Sequence, residues 1–178
     1  MAWTAPKTWV AEQVLTAAEL NTHLRDNLLE TAPAKATTEG SYFVVSDLNQ
    51  IAERKPEVAR VSAGESTSST SYVDLATTGP EVTVTTGSSA IVLIYSQLRN
   101  TVEDSGSMMS FAISGATSRS ALDTTAILHR GNANQSQRFS AFDMITDLTP
   151  GSNTFTAKYR VTADTGTFGD RMIAVFAL

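Results

Sequence analysis

Hydrophobic positions follow different periods in different parts of the chain. From Leu15 to Leu29 the sequence reads LTAAELNTHLRDNLL, and Leu20, Leu24 and Leu28 recur every four residues while Glu19, Asn21, Thr22, Arg25 and Asp26 take the other faces. That is an amphipathic helix with one narrow apolar stripe. Thr16 followed by Glu19 forms a capping box, and Leu15 and Leu20 stand where a hydrophobic staple belongs, so a helix is predicted over about 16–30. A helix of roughly 12–15 residues is marginal alone in water and has to dock on something. Under two heptads of leucine spacing is too little for a self-sufficient coiled coil.

After Leu29 the helical period stops. Pro33 removes an N–H and restricts its predecessor, and TAPAKATTEG reads as linker. Ser41–Val45 is a short strand candidate, and the polar stretch 47–56 holds isolated Leu48 and Ile51. A long structureless segment is more typical of an arm than of a compact domain. Fully extended, Thr31–Pro56 spans on the order of 85 Å.

From Val58 onward the period becomes that of strands. Val82 and Val84 alternate with Thr83 and Thr85, and Gly87-Ser88-Ser89 turns into the apolar run from Ala90. That run, AIVLIY, is apolar on both faces and predicts a central strand buried between layers. Met108–Ser114, Thr124–Arg130 and the long stretch Ser136–Leu148 are further strand candidates. TPGS at 149–152 is a tight turn. Phe155, Ala157, Tyr159 and Val161 alternate with polar residues, and the chain closes with RMIAVFAL, which suits the middle of a sheet. About seven or eight strands near ten-residue spacing predict a mainly β fold, an antiparallel β-sandwich or jelly roll, preceded by a short N-terminal α-helix on an extended arm. The boundary falls between an arm over 1–57 and a β-body over 58–178.

Composition narrows the chemistry. With 178 residues, 13 scattered Lys and Arg and a net charge of −5, the chain is not expected to bind nucleic acid. It contains no Cys, which removes disulfides and thiolate chemistry. The longest strongly apolar run, Ala90–Tyr95, is far short of a roughly 20-residue membrane span, and the N-terminus lacks the order of a signal peptide. Synthesis in a cytoplasm, without membrane insertion, is the expectation. His23 and His129 fit no metal spacing. No G-x-S-x-G elbow accompanies a combination of His129, Asp123 and a serine, and no spacing singles out a carboxylate pair among Glu103, Asp104, Asp123, Asp143, Asp147, Asp164 and Asp170. The glycines read as turn residues, and the sequon at Asn134 matters only in a secretory pathway. No catalytic residue, cofactor or metal is expected. Trp3 and Trp9, both tryptophans of the chain, sit in an irregular leader around Pro6. They lie either on a partner surface or back on the chain's own helix.

The opening W-x(5)-W and VLTAAELNTHLRDNLLETAPAKATTEG resemble the N-terminal segment of tailed-bacteriophage virion proteins of the minor capsid, head-fibre, minor tail and tail-fibre kinds. LTPGSNTFTAKYRVTADTGTFGDRMIAVFAL is similar to the closing strands of such proteins. The matching pieces cover roughly residues 3–40 and 147–178. The resemblance implies a non-enzymatic structural protein on the virion surface, made in the host bacterial cytoplasm, forming a homotrimer. The major capsid protein or another virion protein is the implied partner, with docking through Trp3, Trp9, Leu15, Leu20, Leu24 and Leu28. Shaft repeats and long heptads are missing, which favours a head decoration or head-fibre protein. The alternative is a tail-fibre or minor tail protein whose β module binds a receptor or host-surface glycan, for which Tyr42, Tyr72 and Tyr95 are candidate aromatics.

Overall fold

The computed structural model describes residues 3–178 and has two compact units, the residues up to Lys55 and Pro56–Ala177. The larger unit carries strands β3 (Glu57–Val61), β4 (Glu65–Thr67), β5 (Glu81–Thr86), β6 (Ala90–Asn100), β7 (Ser107–Gly115), β8 (Ile127–His129), β9 (Gln137–Ile145), β10 (Gly151–Val161) and β11 (Gly166–Ala177). All pairs are antiparallel. One sheet runs β3-β11-β6-β9, with β4 also on β11, and the other β5-β10-β7-β8. Counting β3 and then β5 to β11 as eight strands, the orders are 1-8-3-6 and 2-7-4-5. This is the strand order of a jelly roll, the sandwich the residue pattern predicts.

The core lies between the sheets. Val92, Ile94 and Leu98 of β6, Phe155 and Tyr159 of β10, and Phe168, Ile173 and Val175 of β11 are all buried. Each such side chain contributes about 1.5–3 kcal/mol by leaving water. Aromatic pairs line the interior: Phe111 and Phe155, on neighbouring strands of one sheet, have ring centroids 6.2 Å apart, and Tyr159 and Phe168 join the two sheets at 5.0 Å. The Tyr159 hydroxyl donates to the Gly79 carbonyl at 2.8 Å, so its burial leaves no polar atom unsatisfied.

One sequence expectation changes here, and a second holds with an added feature. Strand β6 is central, yet it is buried on one face only: Ala90, Val92, Ile94, Ser96 and Leu98 point inward, while Ile91, Leu93 and Tyr95 are half-buried on the outer face. Within this unit no second layer covers that face, and apolar character on both sides of a strand does not itself require two layers. The closing strand β11 does lie mid-sheet, but its register slips between Gly169 and Met172. This β-bulge turns Arg171 into the core. Arg171 is fully buried, pairs with Glu65 at 3.1 Å and lies 5.3 Å from the Tyr159 ring centroid.

The smaller unit opens with a helix in three consecutive parts, α1 (Ala17–Leu20), a π turn (Asn21–Arg25) and α2 (Asp26–Leu29). The capping box is formed: the Glu19 N–H donates to the Thr16 hydroxyl, and the Thr16 N–H to the Glu19 carboxylate. Pro33 starts a further turn, α3 (Ala32–Lys35), where its missing N–H is no loss. The stretch 31–56, read from sequence as linker with one strand candidate, is folded in greater part. Strands β1 (Tyr42–Asp47) and β2 (Gln50–Arg54) form a hairpin turned by Asn49 at φ 56°. Glu53 ties it to the preceding chain, accepting from the Thr37 and Thr38 N–H groups at 3.0 and 2.8 Å and from the Ser41 hydroxyl at 2.8 Å.

Candidate functional site

The predicted docking residues share one property: all are exposed. Leu20, Leu24 and Leu28 are 37%, 52% and 65% accessible, and Leu15, Trp3 and Trp9 are exposed as well. Val10, Val14 and Leu29 add to the same apolar content. The π turn widens the helix by one residue per turn in the middle of the leucine row, with the Asp26 N–H donating to the Asn21 carbonyl. Such turns often mark functional positions in helices.

What fixes this surface is polar. Among the described residues up to Lys55, only Asn27 is buried. Its amide oxygen accepts from the Thr4 N–H at 2.8 Å, and its nitrogen donates to the Thr4 carbonyl at 3.0 Å and to the His23 carbonyl at 3.2 Å. One asparagine thus imitates a strand partner and holds the leader on the helix. Lys7 pairs with Glu19 and stands 5.0 Å from the Trp9 ring centroid. Trp9 meets His23 edge to face at 6.1 Å. Of the two placements open to the leader, Trp9 therefore takes the helix, while part of its ring stays in water. The Trp3 N–H donates to the Asn49 carbonyl at 3.2 Å, which joins the leader to the hairpin turn. Lys7 and the Thr16 groups pull the Glu19 carboxyl down to about 2, and the bonds from Thr37, Thr38 and Ser41 do the same for Glu53.

Sequence reasoning passed over Asn27 because an asparagine on the polar side of a helix normally faces solvent. Its burial requires the leader to lie against it, and only the folded chain shows that. The residues weighed for chemistry are dispersed. His129 is fully buried, neither ring nitrogen has a hydrogen-bond partner, and burial lowers its pKa. Asp123 binds Arg160 in two places and accepts from the Tyr72 hydroxyl at 2.9 Å, which fastens a 3-10 turn to β10. Asp123 and His129 do not meet. Among the described residues no group of three or more acidic or histidine side chains is placed to hold a metal.

No protein-family model matches the chain, and no curated protein matches it. Similar solved structures include a chain of the infectious bursal disease virus Gx strain, 10% identical, with 75% of this chain and 36% of that chain covered at a TM-score of 0.44. The carbohydrate-binding module CBM6cm-2 of Cellvibrio mixtus lichenase 5A, solved with cellotriose, is 14% identical, with 83% and 94% covered at a TM-score of 0.33. The C-terminal CBM6 of LamC from Zobellia galactanivorans is 9% identical, with 81% and 94% covered at 0.28. This chain spans about a third of the length of the viral chain, and these likenesses are ones of distant β-sheet architecture.

Proposed function

We propose that this chain is a structural protein of a bacteriophage particle, held to the particle by its N-terminal unit and displaying its jelly-roll body. The observation that carries the reading is the exposed row Leu15, Leu20, Leu24 and Leu28 on a unit with no buried apolar side chain among its described residues. A helix and a two-stranded hairpin without a core are marginal in water, so a second surface has to cover that row. The sequence resemblance to virion proteins supplies the nature of the partner, a major capsid or other virion protein, and the homotrimer. Within the residues described, the β-body carries no shaft repeat or long heptad, which supports the head over the tail, as a decoration or head-fibre protein.

The test is incorporation. The triple variant Leu20→Ser, Leu24→Ser, Leu28→Ser should purify with an unchanged body and fail to join particles, and deletion of residues 1–57 should do the same. Normal occupancy of either variant would refute the anchoring role. Light scattering on the intact protein checks the trimer, and a monomer at micromolar concentration would contradict it. An image of particles carrying a tagged copy distinguishes head from tail.

A further inference from the structure

The outer face of the β3-β11-β6-β9 sheet carries a groove that the anchoring role does not use. Two adjoining hollows of about 420 and 260 Å³ share Ser62 and Asp170. The cross-strand register explains the floor: Arg60, Met172, Tyr95 and Ser140 lie in one row across the four strands. Tyr95 and Met172 line the first hollow, between Arg60 of β3 and Arg138 of β9. Three strand spacings separate those two strands, about 14 Å. In the second hollow Gln97, Arg99 and Thr167 continue the same face.

Charge and geometry make this region unlike the rest of the molecule. Arg60, Arg99 and Arg138 line the two hollows, where Asp170 is the one carboxylate among the lining residues, in a chain of net charge −5. Among the described residues Arg60 has no ion pair, and Arg99 donates only to the Thr167 hydroxyl, at 3.3 Å. Arg138 pairs with Asp170 at 3.0 Å, with both side chains well exposed. Such a pair contributes little to folding and leaves Arg138 able to change partner. Asp170 sits in the β11 bulge at φ 47°, and bulges of this kind re-aim side chains beside binding sites.

We propose that this groove binds an oligosaccharide bearing carboxylate groups. Guanidinium groups stay charged and match carboxylates in two-point contacts, so Arg60 and Arg138 take the acid groups from opposite walls. The Tyr95 ring and the Met172 side chain offer an apolar floor for the C–H face of a sugar ring. Gln97, Ser62 and Thr167 supply neutral partners for hydroxyls. A small inorganic anion would have no use for the apolar floor, and a nucleic acid needs a broader basic surface than three arginines. The inference concerns Pro56–Ala177 alone and stands apart from the anchoring role.

Titration calorimetry on the intact protein with short oligogalacturonate, oligoglucuronate and oligosialate tests it. At least one is expected to bind, its methyl ester roughly tenfold more weakly, as follows from losing one charge-assisted contact. Arg60→Ala, Arg138→Ala and Tyr95→Ala should each weaken binding several-fold, the two arginine variants with the thermal midpoint unchanged, and added salt should weaken it further. These variants should still join particles, so incorporation and sugar binding fail independently. The proposal is overturned if none of the three binds at millimolar concentration, if acid and ester bind alike, or if both arginine variants keep full affinity. A sulfated oligosaccharide of equal length binding tenfold more tightly would reassign the groove to sulfate and overturn it too.

Discussion

Asn27 sets the pattern at the residue scale, because a buried polar side chain does the work that apolar contacts do elsewhere. Its amide makes bonds to both backbone polar groups of Thr4, and a buried donor or acceptor left without a partner costs about 1–3 kcal/mol. Asn27→Ala is therefore expected to destabilise the N-terminal unit by about that amount, and amide exchange at Thr4 should report it. His129 is the opposite case, a buried titratable ring with neither nitrogen bonded. Burial lowers its pKa below the ordinary 6.5 in the folded state, so the unfolded chain takes up the proton first as pH falls. Stability from this site is thus complete above about 6.5 and declines below it, levelling off at the folded value. His129→Leu should flatten that part of a stability curve measured by denaturant unfolding. Arg171 carries a further lesson. In RMIAVFAL its charge marks the start of an apolar strand, and only the slipped register of the bulge shows that it points inward to Glu65 and Tyr159.

Among the elements, the β1-β2 hairpin differs most from what periodicity suggests. Tyr42 and Val44 are only half-buried, and Phe43, Val45 and Leu48 are exposed although apolar, so the weak one-sided burial imprints no apolar–polar alternation on the residues. The hairpin is held by its register, by its turn and by Glu53. Asn49 occupies the left-handed region at φ 56°, where Gly is unstrained. Asn49→Gly should keep or slightly raise the stability of the unit, whereas Asn49→Ala should lower it by about 1 kcal/mol, a contrast that exchange protection in β1 and β2 can measure. Glu19 and Glu53 have folded values near 2 against an ordinary 4.5. Their depressed values mean that the stabilisation is present above 4.5 and is lost as pH falls towards 2. Amide protection at Thr37 and Thr38 should vanish across that window, and Glu53→Gln should remove most of the dependence. The helix is the contrasting element. Its start is written in Thr16 and Glu19, and its stripe in three leucines, because capping and amphipathicity are local. The π turn inside it has no comparable local mark.

At the scale of the whole molecule, each unit is described by what its apolar residues do. In Pro56–Ala177 they fill the space between a four-stranded and a five-stranded layer, and Ile94→Ala there should cost about 2–5 kcal/mol by opening a cavity, measured as a shift in the body's denaturant midpoint. In the described residues up to Lys55 none of them is buried, and this contrast is the reason for assigning the first unit to a partner and the second to display. Local chemistry reaches far in this protein: strand period, turn residues and the absence of helical spacing after residue 30 lead to a sandwich, and a capping box leads to the helix. Which strands become neighbours, that β6 is covered on one side only, that Asn27 is enclosed and that three arginines share one sheet face with Asp170 all depend on contacts between residues far apart in sequence. Alternation assigns a residue to a face; the pairing of strands and the slip at Gly169–Met172 decide what that face meets.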